Sequence, residues 1–315
     1  MATAVVARAY GGPEVLALVE VPVGQPGPGQ ALIEVRAAGV NPVDYKIYAG
    51  VYGTDPSSLP MRLGYEASGV VRAVGEGAEG PGGPLHPGDE VIAYPVRGAY
   101  ATDLVAPASS VLAKPAGLSF EQASGLMLTG VTAAHAIHAT NVGVGDTVVV
   151  HGAAGGVGLM VVQLAVNARA RVIGTANENN HDLLRRLGAE PVSYGEGLLD
   201  RIRALAPDGV DAAIDCVGTD EAMDTSLALV ADRGRVATIA AFERGTEAGV
   251  KVLGMGPGGD PGAELRAAAR VDLLRLAEKG MLKVVVAATY PLSEVAAAHK
   301  ALATGHTRGK IALVS

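Results

Sequence analysis

The sequence predicts an α/β protein of two domains, one rich in short β-strands and one built on a doubly wound parallel sheet. Residues 1 to about 115 carry short β patterns separated by Gly and Pro clusters. Strand and helix patterns alternate from residue 147 to residue 240, which is typical of βαβ units in a parallel sheet. A chain of 315 residues is long enough for about two domains, each with its own core.

In the β-rich part, the spacing of strands and turns favours a barrel or a sandwich. The predicted strands are residues 4–9, 16–21, 30–38, 67–74 and 90–94. A capping box formed by Ser119 and Gln122 opens a helical stretch that continues to His138.

In the second part, strand and helix patterns follow one another without a long gap. The predicted strands are residues 147–151, 171–175, 191–194, 211–216, 234–240 and 251–255, and the predicted helices are residues 156–168, 181–187, 197–206 and 220–231. A helix at 263–279, a strand at 282–289, a helix at 292–304 and a strand at 310–314 resume the mixed character of the first domain. We therefore predict a first domain of residues 1–118, a nucleotide-binding domain of residues 119–257, and a return segment, residues 258–315, that completes the first domain.

A glycine turn after the strand at 147–151 organises the second domain. The turn contains Gly152, Gly155, Gly156 and Gly158, and an apolar helix follows it. A turn without side chains lets a pyrophosphate approach the backbone, and the first N–H groups of the helix favour its negative charge. Glycines needed only for packing are the alternative, but a second strand from Arg171 completes a βαβ unit. The predicted phosphate contacts are Ala154, Gly155, Gly156, Val157 and Gly158.

Net charge and cysteine content exclude several classes of partner and site. The formal net charge of −7 gives no electrostatic reason to expect nucleic acid or an anionic membrane as a partner. A single cysteine, Cys216, excludes an intramolecular disulfide and a thiolate-rich zinc site. No cleavable leader pattern and no long uninterrupted apolar run are present, so a cytoplasmic location is expected.

Several motifs occur in a characteristic order along nearly the whole chain. They are Ala-Gly-Val-Asn-Pro-Val-Asp at 38–44, Gly-Tyr-Glu-Ala-Ser-Gly-Val-Val at 64–71, Pro-Gly-Asp-Glu-Val at 87–91, Val-His-Gly-Ala-Ala-Gly-Gly-Val-Gly at 150–158, Arg-Leu-Gly-Ala at 186–189 and Gly-His-Thr-Arg-Gly-Lys at 305–310. With these motifs the chain resembles the medium-chain dehydrogenase/reductase superfamily, and within it the zinc-independent quinone oxidoreductases (the zeta-crystallin branch). The resemblance implies a GroES-like β-barrel catalytic domain, a Rossmann domain, NADPH between them, and frequently a homodimer joined through the edge of the Rossmann sheet.

The resemblance also bears on metal. Where zinc alcohol dehydrogenases carry a cysteine and then a histidine, this chain has Asn41 and Tyr65, so no metal is expected. Glu66, beside the lost ligand, is expected to make a structural hydrogen bond or ion pair. The histidines at 135, 138, 299 and 306 are interpreted as helix or surface residues.

Without a Lewis acid, reduction of an isolated ketone is difficult, whereas a conjugated acceptor spreads the developing charge. The predicted activity is therefore reduction of quinones, or of the C=C bond of α,β-unsaturated carbonyls. Asn41 is predicted to donate its amide to a carbonyl oxygen. The resemblance places Tyr52 at the nicotinamide end, as a clamp or a proton-side donor, and Tyr100 and Thr129 along the pocket. Asp44 and Lys46 are interpreted as a local solvated pair, and Tyr45 and Tyr48 as packing residues.

The choice of cofactor depends on the end of the second strand of the parallel sheet. An NAD-binding protein needs a carboxylate there, and residues 174–177 supply none, which favours NADPH. Glu178 departs from the basic residue that relatives often carry nearby. Tyr194 matches a family tyrosine that reaches the 2′-phosphate, and Lys310 or Arg308 is expected to supply positive charge. The other predicted cofactor contacts lie at strand ends: Thr175, Asn177, Cys216, Val217, Ile239, Ala240 and Ala241.

Two other functions are compatible with these residues. One is a pathway-specific enoyl-type reductase, and the other is an NADPH-binding protein without turnover. The predicted partner is a small-molecule acceptor.

Overall fold

The structure of the protein, a computed structural model, describes residues 1–305 and 307–315. The chain divides into two compact units. The first, called here the β-rich unit, comprises Met1–Leu128 and Val284–Ser315, and the second, the α/β unit, comprises Thr129–Lys283.

The elements are numbered along the chain. The strands up to residue 128 are β1 (Ala2–Ala7), β2 (Leu16–Val21), β3 (Gln30–Val40), β4 (Met61–Arg62), β5 (Ala67–Val74), β6 (Glu79–Gly80), β7 (Gly83–Pro84), β8 (Glu90–Ala93), β9 (Asp103–Pro107) and β10 (Val111–Ala113). The later strands are β11 (Thr147–His151), β12 (Arg171–Thr175), β13 (Glu190–Val192), β14 (Ala212–Asp215), β15 (Val236–Thr238), β16 (Lys251–Val252), β17 (Val286–Pro291) and β18 (Lys310–Val314). The α-helices are α1 (Pro42–Tyr48), α2 (Phe120–Ala123), α3 (Met127–Ala139), α4 (Gly156–Asn167), α5 (His181–Arg186), α6 (Leu198–Leu205), α7 (Asp220–Leu229), α8 (Phe242–Glu247), α9 (Ala263–Glu278) and α10 (Val295–Ala303).

Two larger sheets form the β-rich unit. One has the order β2-β1-β4; the other has the order β10-β8-β5-β3-β18-β17, with β9 also paired to β3. Buried residues alternate along the strands, as expected for sheets with one buried face. For example, Ile33 and Val35 of β3 belong to the same core cluster as Val91 and Leu313. The strand β18 inserts between β3 and β17, so residues 310–314 complete a sheet begun by residues 30–40.

The strands β9 and β10 were not predicted from the sequence. They are short, and each contains or adjoins a residue that is rare in strands, Pro107 in β9 and Lys114 after β10. Tertiary pairing overrides this weak local signal, because β9 pairs with β3 over five residues and β10 pairs with β8.

The α/β unit contains the predicted doubly wound sheet. All six strands are parallel, in the order β13-β12-β11-β14-β15-β16. This order reverses direction between β11 and β14, which is the point where open α/β sheets bind ligands. Val148, Val149 and Val150 have no exposed surface, which explains why β11 reads as an uninterrupted apolar run. The predicted fold class is confirmed.

The predicted domain boundaries are displaced. Residues 119–128 belong to the β-rich unit, where the Ser68 hydroxyl donates to the carbonyl of Phe120 at 2.6 Å. Residues 258–283 belong to the α/β unit, where the Leu273 side chain of α9 packs on Gly130. The return to the β-rich unit therefore begins at Val284 rather than at residue 258.

The capping box at Ser119 and Gln122 is confirmed, because each side chain bonds the backbone of the other's residue. The helical stretch is interrupted at Gly125, so that α2 and α3 are separate helices. Within the described residues, no helix has the length and apolar character needed to span a bilayer.

Candidate functional site

The glycine turn joins β11 to α4 as the sequence predicts. Gly152 adopts φ +67°, a left-handed conformation that favours glycine, and the Gly155 N–H donates to its carbonyl at 3.0 Å. A Cβ added to Gly158 would lie 2.2 Å from the Gly152 carbonyl oxygen, so only glycine fits there. The first N–H groups of α4 have no partner within the helix. The turn therefore forms a cradle of bare amides with the shape and polarity that a pyrophosphate requires.

The end of the second strand closes one side of this turn. The Gly152 N–H donates to the Thr175 hydroxyl at 3.2 Å, and the Ala153 N–H donates to the Thr175 carbonyl at 3.0 Å. Thr175 is thus next to the turn, as predicted. The Asn177 side chain instead accepts from the Asn179 N–H at 3.0 Å and begins a short 3₁₀ turn.

A buried carboxylate, which was not singled out from the sequence, shapes the neighbouring strand ends. Asp215 has no exposed surface and accepts from the N–H groups of Val217 at 2.9 Å and Gly218 at 2.8 Å, and from the Thr238 hydroxyl at 2.7 Å. That hydroxyl accepts in turn from the N–H groups of Ala240 at 3.2 Å and Ala241 at 2.9 Å.

The predicted contacts Cys216, Val217, Ile239, Ala240 and Ala241 therefore lie together at the carboxyl edge of the sheet. A Cβ on Gly152 would meet Val217, and one on Gly218 would meet Ala240, so these turns are in direct contact. Burial raises the pKa of the Cys216 thiol, which disfavours a thiolate and agrees with its interpretation as a small apolar residue.

Tyr194 lies after β13 with about half of its surface, 52 %, exposed. The loop that carries it is fixed by Arg201, whose guanidinium donates to the carbonyls of Ser193, Gly195 and Glu196. The side chain of Tyr194 is thus presented on a rigid loop at the sheet edge, where a 2′-phosphate contact was predicted.

In the β-rich unit, Asn41, Glu66 and Lys310 form a buried cluster. The Lys310 ammonium donates to the Glu66 carboxylate at 3.1 Å, to the Val40 carbonyl at 3.0 Å and to the Asn41 side-chain oxygen. The Asn41 amide donates to Glu66 at 3.0 Å and to the Gly39 carbonyl at 3.2 Å. The Glu66 carboxylate also accepts from the Leu128 N–H at 2.9 Å, so its expected structural role is confirmed.

This cluster corrects two predictions. Both amide hydrogens of Asn41 are donated within the protein and its surface is 1 % exposed, so the amide has no hydrogen left for an acceptor carbonyl. The three hydrogens of Lys310 are likewise donated to protein oxygens, so Lys310 is not available to a 2′-phosphate. The charge requirement of buried Glu66 explains the position of the lysine.

A second buried chain of hydrogen bonds continues from Asp44. Its carboxylate accepts from the Asn41 N–H and from the Tyr100 hydroxyl, both at 2.8 Å. The Tyr100 hydroxyl lies 3.3 Å from His299 Nε2, and the Tyr48 hydroxyl lies 2.8 Å from His299 Nδ1. Because the Tyr100 proton is donated to Asp44, the consistent tautomer carries the His299 proton on Nε2 and accepts from Tyr48 on Nδ1.

Burial is the main cause of the pKa shifts of Asp44 and His299 in this hydrogen-bonded network. It raises the pKa of Asp44 to about 7, against the lowering effects of the Tyr100 and Asn41 hydrogen bonds. It lowers the pKa of His299 to about 4, so the ring is neutral near pH 7. The interpretation of Asp44 as a solvated partner of Lys46 is wrong, because Asp44 has no exposed surface and its partners come from elsewhere in the unit.

Two further predictions are refined. Tyr100 is fully buried and its hydroxyl bonds Asp44, so it supports the site from within rather than lining an open pocket. His299 is on a helix, as expected, but it is buried and bonded rather than exposed. Tyr52 is 39 % exposed on the turn that follows α1, and Thr129 is buried in α3; their predicted contacts with a nicotinamide stay predictions.

The other histidines that the structure describes do not form a cluster. His135 is buried in α3 and bonds Asp260 at 3.3 Å, and His151 ends β11 with a pKa lowered by burial to about 4. His306 lies outside the described residues. Over residues 1–305 and 307–315, no three His, Cys, Asp or Glu side chains are grouped so as to hold a metal ion.

Sequence reasoning missed Asp215 altogether and missed the buried roles of Asp44 and His299. For Asp215 and His299 the sequence does contain a signal. Asp215 is a lone acid at the end of an apolar strand, where parallel sheets place their ligand edge. His299 falls on the apolar face of α10 with Val295, Ala298 and Leu302, at helical spacing.

Comparison with known proteins identifies the family. The model of the alcohol dehydrogenase GroES-like domain matches residues 27–116, and the model of zinc-binding dehydrogenases matches residues 187–313. The chain is 34 % identical to quinone oxidoreductase of Mus musculus, over 97 % of this chain and 95 % of that protein. It is 32 % identical to a 2-haloacrylate reductase of a Burkholderia species, over 100 % of this chain and 99 % of that protein.

Among solved structures, quinone oxidoreductase of Escherichia coli complexed with NADPH superposes with a TM-score of 0.85 and 29 % identity, over 99 % of this chain and all of that chain. The chain therefore belongs to the medium-chain dehydrogenase/reductase superfamily, in the branch that contains the quinone oxidoreductases.

Proposed function

We propose that the protein is an NADPH-dependent, zinc-independent oxidoreductase that reduces quinones, or the C=C bond of α,β-unsaturated carbonyls, by hydride transfer. The observation that carries the proposal is the glycine cradle at residues 152–158, in which Gly158 leaves no room for a Cβ. The Escherichia coli relative, solved with NADPH, supports the same cofactor for this chain.

The preference for NADPH over NADH rests on the end of β12. Residues 174–177 carry no carboxylate to bind a ribose hydroxyl, and none to repel a 2′-phosphate. The exposed phenol of Tyr194, on the loop fixed by Arg201, is the proposed 2′-phosphate partner. Glu178 begins the 3₁₀ turn after Asn177, and its negative charge opposes a phosphate there.

The choice of a conjugated acceptor follows from the chemistry of the β-rich unit. The family resemblance places Asn41 and Tyr65 where alcohol dehydrogenases carry zinc ligands, and the Asn41 side chain is held by Lys310 and Glu66. Charge that develops on a quinone or enone is delocalised, and hydrogen-bond donors are enough to stabilise it. The two relatives, a quinone oxidoreductase and a 2-haloacrylate reductase, support the two halves of the proposal.

A cytoplasmic homodimer completes the proposal. The parallel sheet has two edge strands, β13 and β16, and the resemblance implies a dimer joined through an edge of this sheet. Both the location and the dimer stay predictions.

The experiment is steady-state oxidation of NADPH with an ortho-quinone, a para-quinone, 2-cyclohexenone and an enal, each run against NADH at the same concentration. We expect turnover with at least one acceptor class, and a kcat/KM for NADPH at least about tenfold above that for NADH. Turnover with quinones alone or with alkenes alone selects one half of the proposal. Absence of turnover with every acceptor contradicts the enzymatic assignment, and equal efficiency with NADH contradicts the cofactor assignment.

A further inference from the structure

A glycine-rich loop follows the last strand of the parallel sheet and closes back on it. This loop, residues 254–262, is called here the strap, and five of its nine residues are glycine. The Gly254 N–H donates to the Asp260 carbonyl at 2.7 Å, and the Asp260 N–H donates to the Val252 carbonyl at 2.8 Å. Because glycine loses much conformational entropy when it is ordered, contacts from outside the strap are needed to hold it closed.

One such contact joins the strap to a turn at which we predict cofactor contacts. Gly256 is buried, and a Cβ there would lie 2.5 Å from the Phe242 ring, so glycine is what lets the strap come this close. Phe242 directly follows Ala241, whose N–H donates to the Thr238 hydroxyl at 2.9 Å. The closed strap therefore packs beside the turn at residues 240–241.

A second contact joins the strap to His135 of α3. The imidazole ring is buried, and a Cβ on Gly262 would lie 2.4 Å from its Cε1 atom. The Asp260 carboxylate lies 3.3 Å from Nε2, and the Arg266 guanidinium donates to Nδ1 at 3.4 Å. Because Nδ1 accepts, the proton of the neutral ring is on Nε2 and is donated to Asp260. The neutral ring thus contacts the strap at two of its residues.

A second proton on the ring is incompatible with this arrangement. It would bond to Nδ1, where the Arg266 N–H already points, and a charged ring covered by the strap would lack hydration. The charged and titratable groups that act on the ring are Asp260 from the strap, Arg266 from α9 and His138 from α3. Burial lowers the pKa of His135, Arg266 and His138 lower it further, and the largely exposed Asp260 opposes them.

We propose that His135 holds the strap closed only while its ring is neutral, so that protonation releases residues 254–262 from α3 and from Phe242. Because the pKa of His135 in the closed strap lies below its ordinary value of 6.5, the closed strap is most stable above that pH and loses stability as the pH falls through it. Release removes the packing beside residues 240–241 and weakens cofactor binding. The effect on the cofactor rests on the proposed function, whereas the release of the strap does not.

The first test is hydrogen–deuterium exchange of peptides that cover the strap, at about pH 7.5 and about pH 5.5, corrected for the intrinsic pH dependence of exchange. We expect the protection of the wild-type strap to be lower at the lower pH, by up to about tenfold, which is the most that one proton taken up below pH 6.5 allows. His135→Gln cannot be protonated there and should show the same protection at both pH values. His86→Gln removes an exposed histidine of the β-rich unit and should behave like the wild type.

A second pair of variants tests the contact with the ring without any titration. Gly262→Ala places a Cβ against His135 and should lower the protection of the strap at both pH values. Gly280→Ala is the matched control, because Gly262 and Gly280 both have a left-handed backbone, with φ +55° and φ +69°, but an added Cβ on Gly280 meets no atom within 4 Å. The strap of Gly280→Ala should be protected as in the wild type.

Calorimetric titration with NADP⁺ then links the strap to the cofactor. At the higher pH, Gly262→Ala should bind NADP⁺ about 3- to 10-fold more weakly than Gly280→Ala, because the turn beside Phe242 has lost its packing. Linkage is reciprocal, so saturating NADP⁺ should raise the protection of the wild-type strap at the lower pH.

Two results overturn the inference while leaving the proposed function in place. One is a wild-type strap with equal protection at both pH values, and the other is a loss of protection in His135→Gln as large as in the wild type. Equal NADP⁺ affinities of Gly262→Ala and Gly280→Ala overturn the effect on the cofactor. A wild type that binds no NADP⁺ at either pH removes the proposed function and that effect together, and the exchange experiment still decides whether His135 releases the strap.

Discussion

Two buried carboxylates, Glu66 in the β-rich unit and Asp215 in the α/β unit, are satisfied in opposite ways. Glu66 takes its partners from residues 41, 128 and 310, far apart in the chain, and one of them is an ammonium group. The Asp215 carboxylate takes its partners from Val217, Gly218 and, on the adjacent strand, Thr238, and all three donors are neutral. The first carboxylate ties distant segments together, whereas the second shapes the turns at which we predict cofactor contacts.

Of the variants considered, Lys310→Met is expected to lower the free energy of unfolding most. This change leaves the Glu66 carboxylate buried without its cation, which costs about 3–5 kcal/mol. The measurement is the free energy of unfolding from urea titration followed by far-UV circular dichroism. The double variant Lys310→Met, Glu66→Gln should recover much of the loss, because no buried charge remains. A single variant within about 1 kcal/mol of wild type would show that the pair adds little to the stability of the unit.

A third buried carboxylate, Asp44, extends the comparison, because its Oδ1 has no hydrogen-bond partner among residues 1–305 and 307–315. The pKa of Asp44 in the folded protein, about 7, lies above its ordinary value of 3.8. Protonated Asp44 therefore stabilises the fold at low pH, and this contribution is lost as the pH rises through 7. Asp44→Asn removes the titration. Between about pH 5 and about pH 8, the stability of the wild type should fall relative to the variant, by on the order of 2 kcal/mol.

The matched control is Asp55→Asn. Asp55 is exposed on a turn, and its hydrogen bonds from Ser57 lower the pKa of its carboxyl, which is the opposite direction. This variant should not gain on the wild type as the pH rises. A parallel pH dependence for wild type and Asp44→Asn would show that Asp44 is ionised throughout the range.

The smallest effect is expected for Thr238→Val in the α/β unit. The change removes one donor to Asp215 and the acceptor for two backbone N–H groups, at about 1–2 kcal/mol, because buried Asp215 keeps its two backbone donors and the part-buried N–H groups can turn to water. NADPH affinity, measured by fluorescence titration, should fall more clearly than stability because the turn at Ala240 loses its anchor. Thr246→Val, which removes one exposed bond to Phe242, serves as control. A stability loss above about 3 kcal/mol would place Thr238 with the structural network instead.

Most elements of the α/β unit could be predicted from the sequence, because the patterns that specify them are local. Consecutive β-branched residues at Thr147 to Val150, then glycines, then an apolar helix specify strand, turn and helix without reference to the rest of the chain. In the β-rich unit, β9 and β10 depend on pairing with β3 and β8, which are remote in sequence, and local pattern does not reveal them.

The same distinction applies to the candidate site. The positions of the glycine turn and of the strand ends at Thr175 and Cys216 follow from strand and glycine patterns, and the structure brings them together. Their contacts with a cofactor stay predictions. The polar clusters of the β-rich unit do not, because Asn41, Asp44 and Lys310 acquire their roles from partners that only the fold brings near. Residue type suggested that Asn41 could donate to a ligand, but its neighbours Glu66 and Gly39 take both hydrogens.

The insertion of β18 between β3 and β17 sets an order of events during synthesis. The α/β unit is one continuous segment, residues 129–283, and its partners are all available once that segment has left the ribosome. The β-rich unit must wait for residues 310–314, because until then Glu66 lacks its cation and β3 lacks a neighbouring strand. Residues 1–128 therefore precede the α/β unit in the chain but reach their final structure after it, and residues 129–283 mature while the β-rich unit is still incomplete.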